Sequence, residues 1–143
     1  MTNPTRDLAT LVENMRPVVS HDTYVFVTLK DSSLLEGLLP HCLFREEEGL
    51  SAILTRTDAE ALGFGNSSSY KMITLSVNSD LLAVGFLATV TSGLAGAGIP
   101  CNAVSAFHHD YLFVPEATAG ESEKILLAMM HSLCSEGPSD ASK

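Results

Sequence analysis

Residues 101–115 read CNAVSAFHHDYLFVP, placing two histidines and an aspartate side by side, shortly after a cysteine. These residue types can hold a metal or move a proton, so their geometry decides whether the segment is a chemical site. In an extended chain neighbouring side chains point to opposite faces, and His108 and His109 therefore diverge. Alternation through Cys101, Ala103, Ser105 and Phe107 also sets His108 on the opposite face from Cys101. Zinc normally needs three or four converging ligands. His109 and Asp110 instead suit a turn between two strands, because Asp tolerates turn conformations and bonds its own backbone. No metal is expected here.

Two other segments carry potential chemistry. Gly93, Gly96 and Gly98 lie in GLAGAG. A glycine loop that cradles phosphate follows a strand and opens a helix, so that free N–H groups face the anion. These glycines end a helical pattern and precede a strand, which offers carbonyls instead, and they are read as helix termination with close helix–sheet packing. Asn78-Ser79-Asp80 precedes an apolar run and reads as an N-cap with an early acid. Free N–H groups at such a helix start also suit a carboxylate. No serine has a His and Asp at a spacing that suggests a triad, and the acidic run Glu46–Glu48 reads as a solvated hairpin end.

The elements that position these residues follow from periodicity. Leu8, Leu11, Val12 and Met15 repeat at helical spacing within residues 5–15, and Pro17 stops that helix. YVFVTL (24–29) is a strand. Residues 42–47 and 50–54 form a strand pair around a tight turn at Glu48-Gly49. A short helix opens at Thr57, with a capping box to Glu60, and closes at Gly63. GNSSS (65–69) is the one plausible linker. A strand over 72–77, a long helix from Ser79–Leu81 to Gly96, a hairpin of 100–107 with 111–114, and a last helix from Thr118 complete the chain. That last helix carries Ile125, Leu126, Met129, Met130 and Leu133, and a loose polar tail follows. From Met72 the order is the split βαβ order of ferredoxin-like sandwiches. Two such βαββαβ units need eight strands, whereas six are convincing, so sharing of strands between the halves stays open.

The 143 residues suffice for one ordinary domain or two small ones, with a packed core. The net charge of −9 argues against nucleic acid and anionic membranes as partners. No apolar run is long enough to span a bilayer, and the N-terminus lacks the pattern of a signal peptide. Cys42, Cys101 and Cys134 are widely spaced and odd in number, which fits reduced thiols in the cytoplasm.

SVNSDLLAVGFLATVTSGLAGAGIPCNAVSAFHHDYLFVP resembles the second half of small tandem ACT-domain proteins. YVFVTL and FREEEGLSAIL resemble the first half. The resemblance implies an α+β fold of tandem ACT-like, ferredoxin-like units, with helices on one face of antiparallel sheets. It implies halves at 1–68 and 69–136, with a tail at 137–143. It also implies a regulatory module that binds a small molecule, plausibly an amino acid, at the seam between units or subunits, without a cofactor. The sheet edges left open by a count of six strands favour association, and a homodimer is expected. The frequent Asp-x-Pro-Gly turn of ACT domains is replaced by Asn78-Ser79-Asp80. On this reading the ligand carboxylate meets the helix start at Ser79, Asp80 and Leu81, next to Asn78. Leu81, Val84 and Cys101 line the side-chain pocket, and Gly85 allows close approach. Asp80 or Asp31 holds an ammonium, and Asn102 orients the ligand. Two further readings stay open: a structural interaction module without ligand, and an acyl transferase, which would need a phosphate loop that the sequence lacks.

Overall fold

The computed structural model describes residues 3–135, with side chains to residue 132; the polar tail and the side chains of Leu133 and Cys134 lie outside the described residues. The elements run in the order α1 (Leu8–Glu13), β1 (Pro17–Leu29), a 3-10 turn (Ser32–Leu35), β2 (Cys42–Glu46), β3 (Gly49–Thr55), α2 (Arg56–Ala61), β4 (Tyr70–Leu75), α3 (Phe86–Gly96), β5 (Asn102–Ser105), β6 (Asp110–Pro115), a second 3-10 turn (Glu116–Thr118) and α4 (Ala119–Ser135). All six strands join one antiparallel sheet in the order β2-β3-β1-β4-β6-β5.

That order reads the same from either end. β3 pairs with β1 through Leu29↔Leu50, and β6 pairs with β4 through Leu75↔Asp110. The outer hairpins match as well, with Arg45↔Leu50 on one side and Ser105↔Asp110 on the other. The halves meet where β1 pairs with β4, from Pro17↔Leu75 to Tyr24↔Tyr70, across a register shift between Val19 and Thr23. Each half thus lends its first strand to the other as a fourth. This explains why six strands suffice where two separate units would need eight.

Helices cover one face. Leu11 and Val12 of α1 with Met15 just beyond it, Phe86, Val90 and Leu94 of α3, and Leu126 of α4 are buried against Ile73, Leu75, Leu112 and Val114. Over the first half the covering layer is only α2 and the 3-10 turn, through Ala59 and Leu35. Gly93 sits where α3 meets α4, and a Cβ there would lie 2.7 Å from the Met129 sulfur. The glycine therefore serves helix–helix packing rather than the expected helix–sheet packing. On the uncovered face Tyr24, Ile53 and Phe113 are buried by the sheet's own curl, with ring centroids of Tyr24 and Phe113 5.8 Å apart.

Several boundaries differ from expectation, each for a local reason. β1 starts at Pro17, which ends α1 and also opens the strand, since the first strand residue need not donate to the ladder. The hairpin turn is Glu47-Glu48, and Gly49 is the first residue of β3, at φ +147°. α2 is capped by Thr55, whose Oγ1 accepts from the Asp58 N–H, one turn-start earlier than Thr57. The largest difference concerns α3, which starts at Phe86 rather than at Ser79–Leu81. Asp80 Oδ1 accepts from the Leu82 N–H at 2.8 Å, a local turn that competes with helix. Gly85 is the N-cap in the left-handed region at φ +88°, and is not a mid-helix residue.

Two outcomes follow from this packing. Gly93→Val should lower the unfolding free energy by about 1–3 kcal/mol in urea titration, because it overpacks the α3–α4 contact; adding Met129→Ala should recover part of the loss. The carboxylates of Asp7, Asp31 and Asp80 are held below their ordinary value of 3.8, in each case first by hydrogen bonds they accept: from Thr10, from Ser33 and from the Leu82 N–H. Their contribution is therefore present above that value and lost as pH falls through the lowered ones. Urea midpoints should stay level near neutrality and drop on acidification below the ordinary carboxylate value, and the drop should be smaller in Asp80→Asn.

Candidate functional site

The loop between β4 and α3 is held from several sides. Thr5 bridges it in parallel fashion, donating to the Asn78 carbonyl at 3.2 Å and accepting from the Asp80 N–H at 3.0 Å. Arg6 Nε lies 3.1 Å from Asp80 Oδ1. The Leu82 N–H and the Arg6 guanidinium together hold the Asp80 carboxyl below the usual carboxylate range.

Beneath the loop, Ser79 Oγ donates to Asp110 Oδ2 at 3.0 Å, and Ser105 Oγ donates to Asp110 Oδ1 at 2.6 Å. Asp110 is only 6% exposed and Ser79 8%. A buried carboxylate normally has a counter-charge. Among the described residues Asp110 has no cationic partner; its two donors are neutral hydroxyls. An ionised carboxylate has about four acceptor positions, so two remain for an incoming group.

The start of α3 faces the same space. Gly85 provides no side-chain cap, and the Thr89 N–H bonds the Gly85 carbonyl at 2.9 Å as the first turn of the helix closes. The N–H groups of Phe86, Leu87 and Ala88 precede that first bond and have no acceptor within the helix. These three residues line a cavity of about 160 Å³ that also touches Ser79, Asp80, Ser105 and Asp110. A second cavity of about 470 Å³ shares Ser79, Asp80 and Leu81 with the first and extends to Pro4, Phe107 and His108. The arrangement sets a positive helix end opposite a buried carboxyl group, across a gap the size of a small molecule.

The expected residues divide clearly. Ser79, Asp80, Leu81 and Gly85 line the inner cavity, and Asn78 joins the first three around the outer one. The carboxylate-facing helix start lies at Phe86–Ala88, not at Ser79–Leu81. Val84 is 84% exposed and lines neither cavity, because the loop ahead of Gly85 carries it outward. Cys101 packs against the core under the helices, and burial pushes its thiol up, so it stays protonated at neutral pH. Asn102 pairs with Phe113, which places it on the sheet face away from the helices. Asp31 lies in the other half, where it caps the 3-10 turn through Ser33. His108 and His109 fall in the β5–β6 turn, closed by the Ala106 N–H on the His109 carbonyl at 3.0 Å. Among the described residues no cluster of His, Cys, Asp or Glu is placed to hold a metal. GLAGAG ends α3, with Gly98 at φ +75°.

Sequence reasoning missed Asp110, Ser105 and the N–H groups of Phe86–Ala88. A signal for Asp110 existed: in DYLFVP it shares the inward face with Leu112 and Val114, both fully buried. A charge at an inward strand position calls for an explanation. The first half has no counterpart. By the two registers Leu50 stands where Asp110 does and Arg45 where Ser105 does, and a 3-10 turn replaces α3.

One antiparallel sheet built from two strand-exchanging units, with helices on one face and a cleft at a strand-to-helix turn, defines a tandem ferredoxin-like regulatory fold of the α+β class. The chain belongs to the ACT-domain family: one ACT-domain model matches residues 3–71 and a second matches residues 67–127. Among solved structures, a Vibrio cholerae protein of unknown function, a possible transport protein, shares 35% identity over 81% of this chain and 89% of its own, with a TM-score of 0.75. The regulatory subunit of aspartate kinase from Thermus flavus shares the fold at 7% identity and a TM-score of 0.61, over 79% of this chain and 95% of its own. E. coli aspartokinase III, in complex with aspartate and ADP, does so at 13% identity and a TM-score of 0.54, over 82% of this chain and 32% of its own. No curated protein is significantly similar in sequence.

Asp110→Ala should lower the unfolding free energy by about 1–3 kcal/mol, because it leaves two hydroxyls without their acceptor. Asp110→Asn keeps one acceptor oxygen and should cost less; guanidinium titration of both variants checks the order.

Proposed function

We propose that this ACT-domain chain is a sensor that binds a free amino acid in the cleft between the β4–α3 loop and the β5–β6 hairpin. The ligand carboxylate accepts from the N–H groups of Phe86, Leu87 and Ala88, and the ammonium donates to Asp110, with Ser79 beside it. Asn78, Asp80, Leu81 and Gly85 shape the walls. The observation that carries this reading is the buried, counter-charge-free Asp110 facing an uncapped helix start across one small cavity. Opposite charges separated in this way match a zwitterion and few other small metabolites. Kinship with ACT regulatory domains supports a regulatory role.

Binding would tie the loop to α3 and favour whichever arrangement of the chain holds the cleft closed, through differential affinity for the two. Edge strands β2 and β5 present unpaired backbone, and Leu43 and Phe44 are exposed on β2, which supports self-association as a homodimer. The halves divide near residue 68 on this reading. No helix among the described residues is long and apolar enough to cross a membrane. Free Cys42 and Cys101 and the acidic composition support a cytoplasmic setting. A ligand-free interaction module is the second reading, favoured by the same exposed β2 edge.

A thermal-shift screen against the proteinogenic amino acids separates the two. A ligand at 100 times its dissociation constant should add about 2.7 kcal/mol, a shift of several degrees for a domain of this size. The shift should disappear in Asp110→Asn. No response to any amino acid would leave the interaction module as the better account.

A further inference from the structure

We propose that the outer cavity selects the ligand by its side chain, taking a large uncharged one, aromatic in preference, and rejecting acidic and basic ones. This rests on the amino-acid reading of the inner cavity. The inner space of about 160 Å³ is enough for the ammonium, the carboxylate and the carbon between them, and little more. The outer space of about 470 Å³ shares Ser79, Asp80 and Leu81 as walls with the inner one, which sets it beside the head group as the room available to a side chain.

Its walls set the chemistry. Leu81 is 62% and Phe107 76% exposed, and both border this space together with Pro4. Large apolar groups left open to water gain from being covered, at about 25 cal/mol per Å². The Phe107 ring already meets the His108 ring edge-on, with centroids 4.9 Å apart and planes at 82°. A third ring entering beside Phe107 can extend that array at the separations aromatic pairs prefer.

Charge works against the alternatives. Asp80 borders both cavities, so an acidic side chain would be brought beside a like charge. Asp80 is itself engaged with Arg6 at 3.1 Å. A basic side chain could gain Asp80 only by displacing that guanidinium. Asp80 and Arg6 already hold each other, so a charged side chain gains either of them only by breaking that pair, and an unpaired charge is costly to desolvate. An uncharged side chain avoids both penalties.

Isothermal titration calorimetry of the whole chain with L-phenylalanine, L-leucine, L-alanine, L-aspartate and L-lysine tests this. Phenylalanine should bind tightest and leucine next. Alanine should be at least about tenfold weaker than phenylalanine, the scale of burying one large apolar side chain. Aspartate and lysine should be weaker still. Phe107→Ala, an exposed position that the fold tolerates, should shrink the phenylalanine-to-alanine affinity ratio by about tenfold. Tightest binding of aspartate or lysine, abolished by Asp110→Asn, would overturn the selectivity while leaving the amino-acid site standing. An unchanged ratio in Phe107→Ala would overturn it as well. No binding of any of the five would sink both.

Discussion

The pairing of β1 with β4 is the constraint on which the molecule depends. Neither half owns a complete four-stranded sheet, and each completes itself with the first strand of the other. The ladder runs antiparallel through the middle of the sheet, so both strands are buried on the helix side by residues such as Val25, Ile73 and Leu75. The two halves are consequently one folding unit rather than beads on a string. α1 acts in the same direction: it opens the first half in sequence, yet packs into the core of the second. The cleft is framed by the N-terminal segment at Thr5 and by α3, so it draws on both halves of the chain.

Shared architecture does not mean shared chemistry. The matching registers allow the halves to be compared position by position. Where the second half places Asp110 and Ser105, the first places Leu50 and Arg45. Gly49, just ahead of Leu50, approaches the Leu29 carbonyl so closely that a Cβ would lie 2.6 Å from it. In the second half the left-handed conformation of Gly85 ends the loop and starts α3 without a side-chain cap, beside a cavity. On the proposed reading the first half is scaffold and the second carries the site.

The sequence conveyed the fold through periodicity, and conveyed the site only in part. Six strands, four helices, the closing role of GLAGAG and the turn at His108-His109 were all legible, because alternation and capping are local signals. The start of α3 was not. NSD before an apolar run looks like a helix cap, but the segment bonds to Thr5, far away in sequence, and Gly85 carries a positive φ that no periodicity reveals. Cys101 and Asn102 were placed near the ligand from strand order alone, whereas β5 pairing turns Asn102 to the other face. Asp110 reads as a turn residue because Asp tolerates turn conformations and bonds its own backbone. Its alternation with Leu112 and Val114 points it inward, and the hydroxyls of Ser79 and Ser105 explain how it stays there.

The most direct test of the central claim, that Asp110 and the start of α3 form one zwitterion site, is a titration of ¹⁵N-labelled protein with L-phenylalanine followed by amide chemical shifts. The account predicts saturable shifts at Ser79, at Phe86, Leu87 and Ala88, and at Asp110, with the amides around Asp31 and Gly37 in the first half unmoved. Shifts confined to the first half or to the β2 edge, or no saturable shift at Phe86–Ala88, would contradict it.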